Sequence, residues 1–465
     1  MAVFTKNPVS APPAPPVRET TGHLLLRAWC ILVLFLAVSG VSWNLAFGAV
    51  AGGAIAIASG IVTAVLWAVL RPAFQWRRLP WVALAYVAYA ALSIAWSAWP
   101  STSALTWLLL AITTLQGFFV AAVLTWREII RAISSALKWA IGLSLLFELG
   151  VATVVRGPIM PGFARPAHHY DPIVYWSRGN LFNSGRLQGI WGNANLLGVV
   201  ALLALIVFGI LFAARAPRRT MLIVWMAVAG FLLIRAGSAT TFLSLAAVVV
   251  VLAAVLLMRT TKKPAERTRY YVIYAIVGVG GIVALWFLRK PLFTLLGRNS
   301  DLTGRETIWA KVLKRAVERP FAGWGYASPW IPGDPHFDRW IIDHGQTVMQ
   351  AHNMWVDLFL QLGIVGIVLM AGVYLAYIWR AWFFAVDRPR WDLVADRTYS
   401  PLTLLPTLVA TVLLVQGLAE SGPLILWGWM FVAMFSFKLK QAPLIGVGPA
   451  EVGAAIERGD AVSIP

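Results

Sequence analysis

Two arginines and one histidine stand in segments whose residue types suit the handling of charge and protons. Arg186 lies in Gly185-Arg186-Leu187-Gln188-Gly189-Ile190-Trp191-Gly192-Asn193-Ala194-Asn195, a Gly- and Asn-rich stretch that leads straight into an apolar run. Glycines let such a loop bring its backbone close to a ligand. Arg305 sits between Thr303-Gly304 and Glu306, a spacing that fits a capping box with Thr303 as N-cap. A guanidinium in the first turn of a helix, beside free backbone N–H groups, is a ready anion site. His352-Asn353 opens another apolar run, with Asp357 and Gln361 below Asn353 on one helical face. Polar side chains inside an apolar span are costly and usually face a functional interior. An imidazole can take a proton from an acceptor hydroxyl. Each segment also has a plainer reading: a turn for Arg186, a headgroup contact for Arg305, and a hydrogen-bonded interfacial histidine above a structural polar stripe.

Other groups carry less. His336 and His344 compete for the role of base but lie in a looser loop. His168, His169 and Asp171 lack further ligands at usable spacing, so no metal is expected. Arg235, close to Ser238, Thr240 and Thr241, can join an anion site. Glu420, one turn after Gln416, and Glu148, inside an apolar run, read as structural.

The elements that position these residues cross a membrane. The chain is 60% hydrophobic and 12% charged, where a soluble domain is about a quarter charged. Apolar runs long enough to span a bilayer recur along it. The class is therefore an all-α integral membrane protein, not a barrel of short alternating strands. The one cysteine, Cys30, excludes disulfides and thiolate metal sites. Twelve transmembrane helices are expected near 25–44, 48–70, 81–99, 104–125, 136–155, 194–213, 220–235, 238–258, 271–288, 353–379, 401–419 and 423–438. Residues 1–22, polar and Pro-rich, read as a disordered cytoplasmic tail, 23–440 as the membrane domain, and 441–465 as a second disordered tail. The first apolar run reads as an uncleaved signal anchor.

With the N-terminus inside, the short inner segments and tails hold 24 of the 38 Lys/Arg. Nine of the outer ones fall in the large extracytoplasmic loop, 289–352, which implies an anionic ligand on that side. The net charge of +19 follows this topology, so nucleic acid is not an expected partner. In the loop, Ile308, Trp309, Val312, Leu313, Ala316 and Val317 make a helical stripe opposite Lys311, Lys314, Arg315 and Glu318. This predicts an amphipathic helix, ended by Pro320, on the outer membrane surface.

Four pieces together resemble the O-antigen ligase and polymerase superfamily of bacterial envelope enzymes. They are the Gly185–Gly198 stretch, the Arg235–Thr241 turn, Leu302–Trp309 with Pro320-Phe321-Ala322-Gly323-Trp324-Gly325, and Ala351–Asp357 running on to Gln361-Leu362-Gly363-Ile364-Val365-Gly366. Ser93–Pro100, with its Trp-Ser pair, is similar to another family habit. The chain departs from the pattern in having Ala194-Asn195 for Pro-Asn, Arg235 ahead of Ser238 where Ser-Arg is usual, and Asp357 for Glu. The resemblance implies a GT-C-like bundle in the bacterial cytoplasmic membrane, with both termini cytoplasmic. It implies metal-independent transfer of a glycan from an undecaprenyl diphosphate carrier to a glycan, lipid or protein hydroxyl, with no cofactor. Arg186, Arg305 and Arg235 would then bind the diphosphate. His352 would be the general base, oriented by Asp357 or Asn353. Chain polymerisation and lipid-linked oligosaccharide transport are the alternatives; transport usually brings internal repeats and a polar midplane path, which this sequence lacks.

Overall fold

The computed structural model describes residues 21–162, 174–261, 264–295, 305–343, 346–387, 399–424 and 426–441. His168, His169 and Asp171, the cap Thr303-Gly304, His344, and nearly all of both tails lie outside these residues.

The described chain is built from helices: α1 (Thr21–Val38), α2 (Gly40–Phe47), α3 (Ala49–Leu70), α4 (Trp81–Leu92), α5 (Pro100–Val123), α6 (Trp126–Gly150), α7 (Ala194–Ala213), α8 (Arg219–Ala236), α9 (Ala239–Arg259), α10 (Pro264–Leu295), α11 (Arg305–Ala316), α12 (Met354–Val386), α13 (Leu405–Gly417) and α14 (Leu426–Gln441). One small antiparallel pair, β1 (Ile342–Asp343) and β2 (Gln346–Thr347), precedes α12. Every expected span overlaps a helix. Among the described residues, eight helices are long and apolar enough to cross a membrane, and Trp81–Trp96 and Pro401–Gly417 are shorter apolar helices. Exposed Val, Ile, Leu and Phe cover the outward sides of α3, α8, α9 and α10, as a lipid-facing surface requires. The protein is a multi-pass membrane protein.

Local chemistry fixes several helix starts. Thr125 and Glu128 form a reciprocal capping box on α6. Asn193 caps α7 through the amides of Asn195 and Leu196, and Asn353 caps α12 through those of Trp355 and Val356. Gly237, in the left-handed region at φ 54°, makes the tight α8–α9 turn possible. α7, apolar all round, is the central helix, packed by α6, α8, α9 and α13. α10 lies at the edge, where Tyr274 Oη donates to the Ala254 carbonyl of α9.

α12 is broken. Gly363 has φ 62° and ψ −161°, which interrupts the helical ladder. The backbone of 320–325 fills the gap: Ile364 N donates to Pro320 O at 2.8 Å, Trp324 N to Leu360 O at 2.9 Å, and Gly325 N to Gln361 O at 2.9 Å. Groups freed by the break are thus satisfied by protein, as non-helical backbone within a membrane domain demands. A Cβ on Gly323 would lie 2.4 Å from the Gln361 carbonyl carbon, and one on Gly363 2.3 Å from Phe321 O. Two motifs that read separately in the sequence are one joint.

The amphipathic helix α11 is present, and protein covers part of its stripe while Leu313 and Val317 stay exposed. Ile308, Val312 and Ala316 are buried with Trp99, Trp330, Phe337 and Leu360 in a second core beside the main one. Periodicity revealed an apolar face; Trp99, Trp330, Phe337 and Leu360 cover its buried part.

Candidate functional site

Glu420, in the link between α13 and α14, is the centre of a polar cluster. Its Oε1 accepts from Arg305 Nη2 at 2.7 Å and from Asn195 Nδ2 at 2.8 Å. Its Oε2 meets His352 Nδ1 at 3.1 Å. Asn195 Oδ1 accepts from Arg186 Nη2 at 2.7 Å. Arg186, Arg305 and His352, read from three distant segments, are therefore joined through two side chains.

Each arm has a structural cause. Arg305 is the first residue of α11, held down where that helix packs on α12. Trp309 Nε1 donates to the Ala351 carbonyl at 2.8 Å, tying α11 to the residue before His352. Asn195 follows the Asn193 cap directly, so the start of α7 aims it. Arg186 is fixed by Nε donating to the Ala236 carbonyl at 2.7 Å, at the α8–α9 turn. His352 has φ 52°, a conformation non-glycine residues rarely adopt and one that recurs at functional sites.

Asp357 is buried in the first turn of α12 and does not reach the His352 ring by a hydrogen bond. Its Oδ2 accepts from Ala351 N at 3.1 Å and from the Ser421 hydroxyl. It braces the neighbours of both His352 and Glu420. Asn353 caps α12 and donates from Nδ2 to Leu418 O at 3.0 Å, drawing the Glu420 link toward the same place. The orienting contact expected from Asp357 or Asn353 comes instead from Glu420.

Arg235 points elsewhere. Its Nη2 donates to the carbonyls of Asn180 at 2.5 Å and Asn183 at 2.7 Å, holding the stretch that leads to Arg186. His336 pairs with Asp334 at 2.9 Å and stands at the edge of the Trp99 ring. Glu148 accepts from the amides of Gln188 and Gly189. Those loop amides contact a carboxylate of the protein itself, which leaves the Arg186 side chain to face the cluster.

The cluster can hold anions and move a proton. Burial would raise the Glu420 carboxyl, but the hydrogen bond and charge of His352, the Arg305 charge and the Asn195 amide outweigh it and hold it below the usual glutamate range. Glu420 is thus an anion at neutral pH, able to keep a proton on Nδ1 of His352 and leave Nε2 as the basic nitrogen. Arg305 and Glu420 are both largely buried, at 13% and 11% exposure, and His352 is the more open at 29%. A guanidinium carries five N–H donors, and the Glu420 contact engages Nη2 of Arg305. Among the described residues, no three His, Cys, Asp or Glu side chains are grouped to hold a metal ion.

Sequence reasoning read Glu420 as structural and did not single out Asn195; both lie in the cluster. Glu420 gave one faint signal, a carboxylate one turn beyond Gln416 at the end of an apolar run.

Residues 223–371 match a family model described as O-antigen ligase. This stretch includes Arg235, Arg305, His352 and Asp357 but not Arg186 or Glu420. Over 307 residues the chain is 25% identical to the exopolysaccharide production protein ExoQ of Rhizobium meliloti (strain 1021). The alignment covers 63% of this chain and 63% of that protein, so the chain spans less than two thirds of the length of the curated relative it matches.

Proposed function

We propose that this O-antigen ligase-like membrane protein is a glycosyltransferase of envelope polysaccharide synthesis. Its donor is a glycan on undecaprenyl diphosphate, and its acceptor is a hydroxyl presented on the extracytoplasmic side. The observation that carries the reading is the hydrogen-bonded path Arg186–Asn195–Glu420, with Arg305 and His352 on the same carboxylate.

The chemistry follows from those positions. The acceptor oxygen bonds to the anomeric carbon while its proton passes to Nε2 of His352. The bond from that carbon to the diphosphate oxygen breaks, and the lipid diphosphate leaves with the electron pair. Negative charge grows on the leaving group, and Arg186 and Arg305 offset it. Glu420 holds the imidazole in the basic tautomer and stabilises the imidazolium that forms. Arg235 and Asp357 set the backbone around these groups.

The name of the similar protein favours one second reading, in which the acceptor is the growing exopolysaccharide and the enzyme is a polymerase. A deletion strain separates the two. Loss of chain length indicates a polymerase, while intact polymer left on its carrier indicates a ligase. The test of the chemistry uses the purified chain in nanodiscs with a lipid-linked oligosaccharide donor. His352→Ala is expected to slow transfer by about 10²–10⁴-fold while donor still binds. Transfer at the normal rate by an Arg186→Ala, Arg305→Ala double variant would overturn the proposal.

A further inference from the structure

We propose that Glu148 is a positioning residue, a carboxylate within the membrane helix α6 that sets Arg186 for its anion; the inference rests on the diphosphate reading of Arg186. Glu148 is buried to 1% exposure near the end of α6. Its Oε1 accepts from Gln188 N at 3.1 Å and Gly189 N at 2.8 Å, and its Oε2 accepts from the Ser177 hydroxyl at 2.8 Å. One turn earlier, Ser144 Oγ lies 3.4 Å from Ile190 N. Three successive amides after Arg186 therefore dock on two side chains of one helix.

Successive backbone N–H groups of this kind form an anion-binding concavity. Here the anion is internal. A buried carboxylate is costly unless its oxygens are satisfied, and these amides and the hydroxyl satisfy it. The arrangement is tight: a Cβ on Gly189, at φ 59°, would lie 2.9 Å from Ser144 Oγ. Beyond the dock, Leu187 N donates to Arg235 O at 3.0 Å and Arg186 Nε to Ala236 O. The loop is thus held from α6 on one side and from the α8–α9 turn on the other. Arg186 stands between the two anchors. Glu148 acts through the loop and contacts no reacting atom.

The experiment measures binding of inorganic pyrophosphate to the full chain in nanodiscs by calorimetry, with donor KM, kcat and the pH profile of transfer alongside. Arg186→Ala and Glu148→Ala should each weaken pyrophosphate by about tenfold, and the double variant should be no weaker than either alone. Donor KM should rise and kcat fall in Glu148→Ala, as in Arg186→Ala, with the pH profile kept. Glu148→Gln, whose amide oxygen still accepts, should bind within about threefold of wild type. Where Glu148→Ala does not fold, Glu148→Asp, one methylene short, takes its place with the same expected weakening. Additive losses, a folded Glu148→Ala that binds normally beside a weakened Arg186→Ala, or a Gln variant as weak as Ala would each overturn the inference alone. An Arg186→Ala chain that binds pyrophosphate normally would overturn the diphosphate reading and the inference with it.

Discussion

Nδ1 of His352 lies 3.1 Å from Oε2 of Glu420, across 68 positions of sequence. The contact decides which imidazole nitrogen is basic. Glu420→Gln should lower kcat on the order of 10²-fold, since an amide neither fixes the tautomer nor stabilises the imidazolium as a carboxylate does. Donor KM should change as well, because the same substitution frees Arg305 of its ion pair. Steady-state kinetics on the purified variant check both. A Gln variant with wild-type kcat would remove Glu420 from the chemistry.

Replacing Arg186 or Arg305 by Lys should not be conservative. Lysine keeps the charge but loses the planar fork that can grip a diphosphate and its Asn195 or Glu420 partner together. Each single variant is expected to raise donor KM by about tenfold or more. Equal kinetics for Arg and Lys at both positions would indicate that only long-range charge matters.

Glu420 also gives a stability signature. Its folded carboxyl titrates below the ordinary glutamate value of 4.5. The stabilisation is therefore fully present above the unfolded value and is lost as pH falls through the lower, folded one. Between about pH 5 and 6, wild type should unfold at a higher temperature than Glu420→Gln. The gap should close as the pH drops below that range. Thermal unfolding in detergent across this window provides the check, and a gap that widens toward acid contradicts the assignment.

Gly363→Ala should be severely destabilising. The position combines φ 62° and ψ −161° with a carbonyl oxygen 2.3 Å from where the methyl would go. The cost should be on the order of 3 kcal/mol or more. Gly209→Ala in α7, where a methyl meets nothing within 4 Å, is the control and should stabilise by up to about 1 kcal/mol. Similar unfolding temperatures for the two variants would mean the α12 break is not a fixed feature.

The helical architecture was legible because apolar runs of bilayer length admit few other structures. The start of α12 at His352-Asn353, the turn at Arg235–Thr241 and the apolar face of α11 were legible from local pattern as well. What escaped notice was non-local. Glu420 meets residues 68, 115 and 225 positions away, and no spacing rule reaches that far. Gln361-Leu362-Gly363-Ile364 reads as uninterrupted helix, because the strand of backbone that completes the break lies forty residues earlier, at 320–325. Arg235 lies in the segment the motif indicated, yet its guanidinium grips loop carbonyls, a distinction of direction that sequence does not encode.

The joint between 320–325 and the break in α12 also constrains how the molecule is made. Synthesis delivers the inserted stretch before its receptor: residues 360–365 join the chain about forty positions after 320–325. Until α12 enters the bilayer, the amides of Trp324 and Gly325 and the carbonyls of Pro320 and Phe321 lack the α12 partners they have in the finished fold. Seating of the stretch, and with it the placement of Arg305 next to Glu420, is therefore a late event in biogenesis, and a chain truncated ahead of α12 would carry its arginines without ever assembling the cluster.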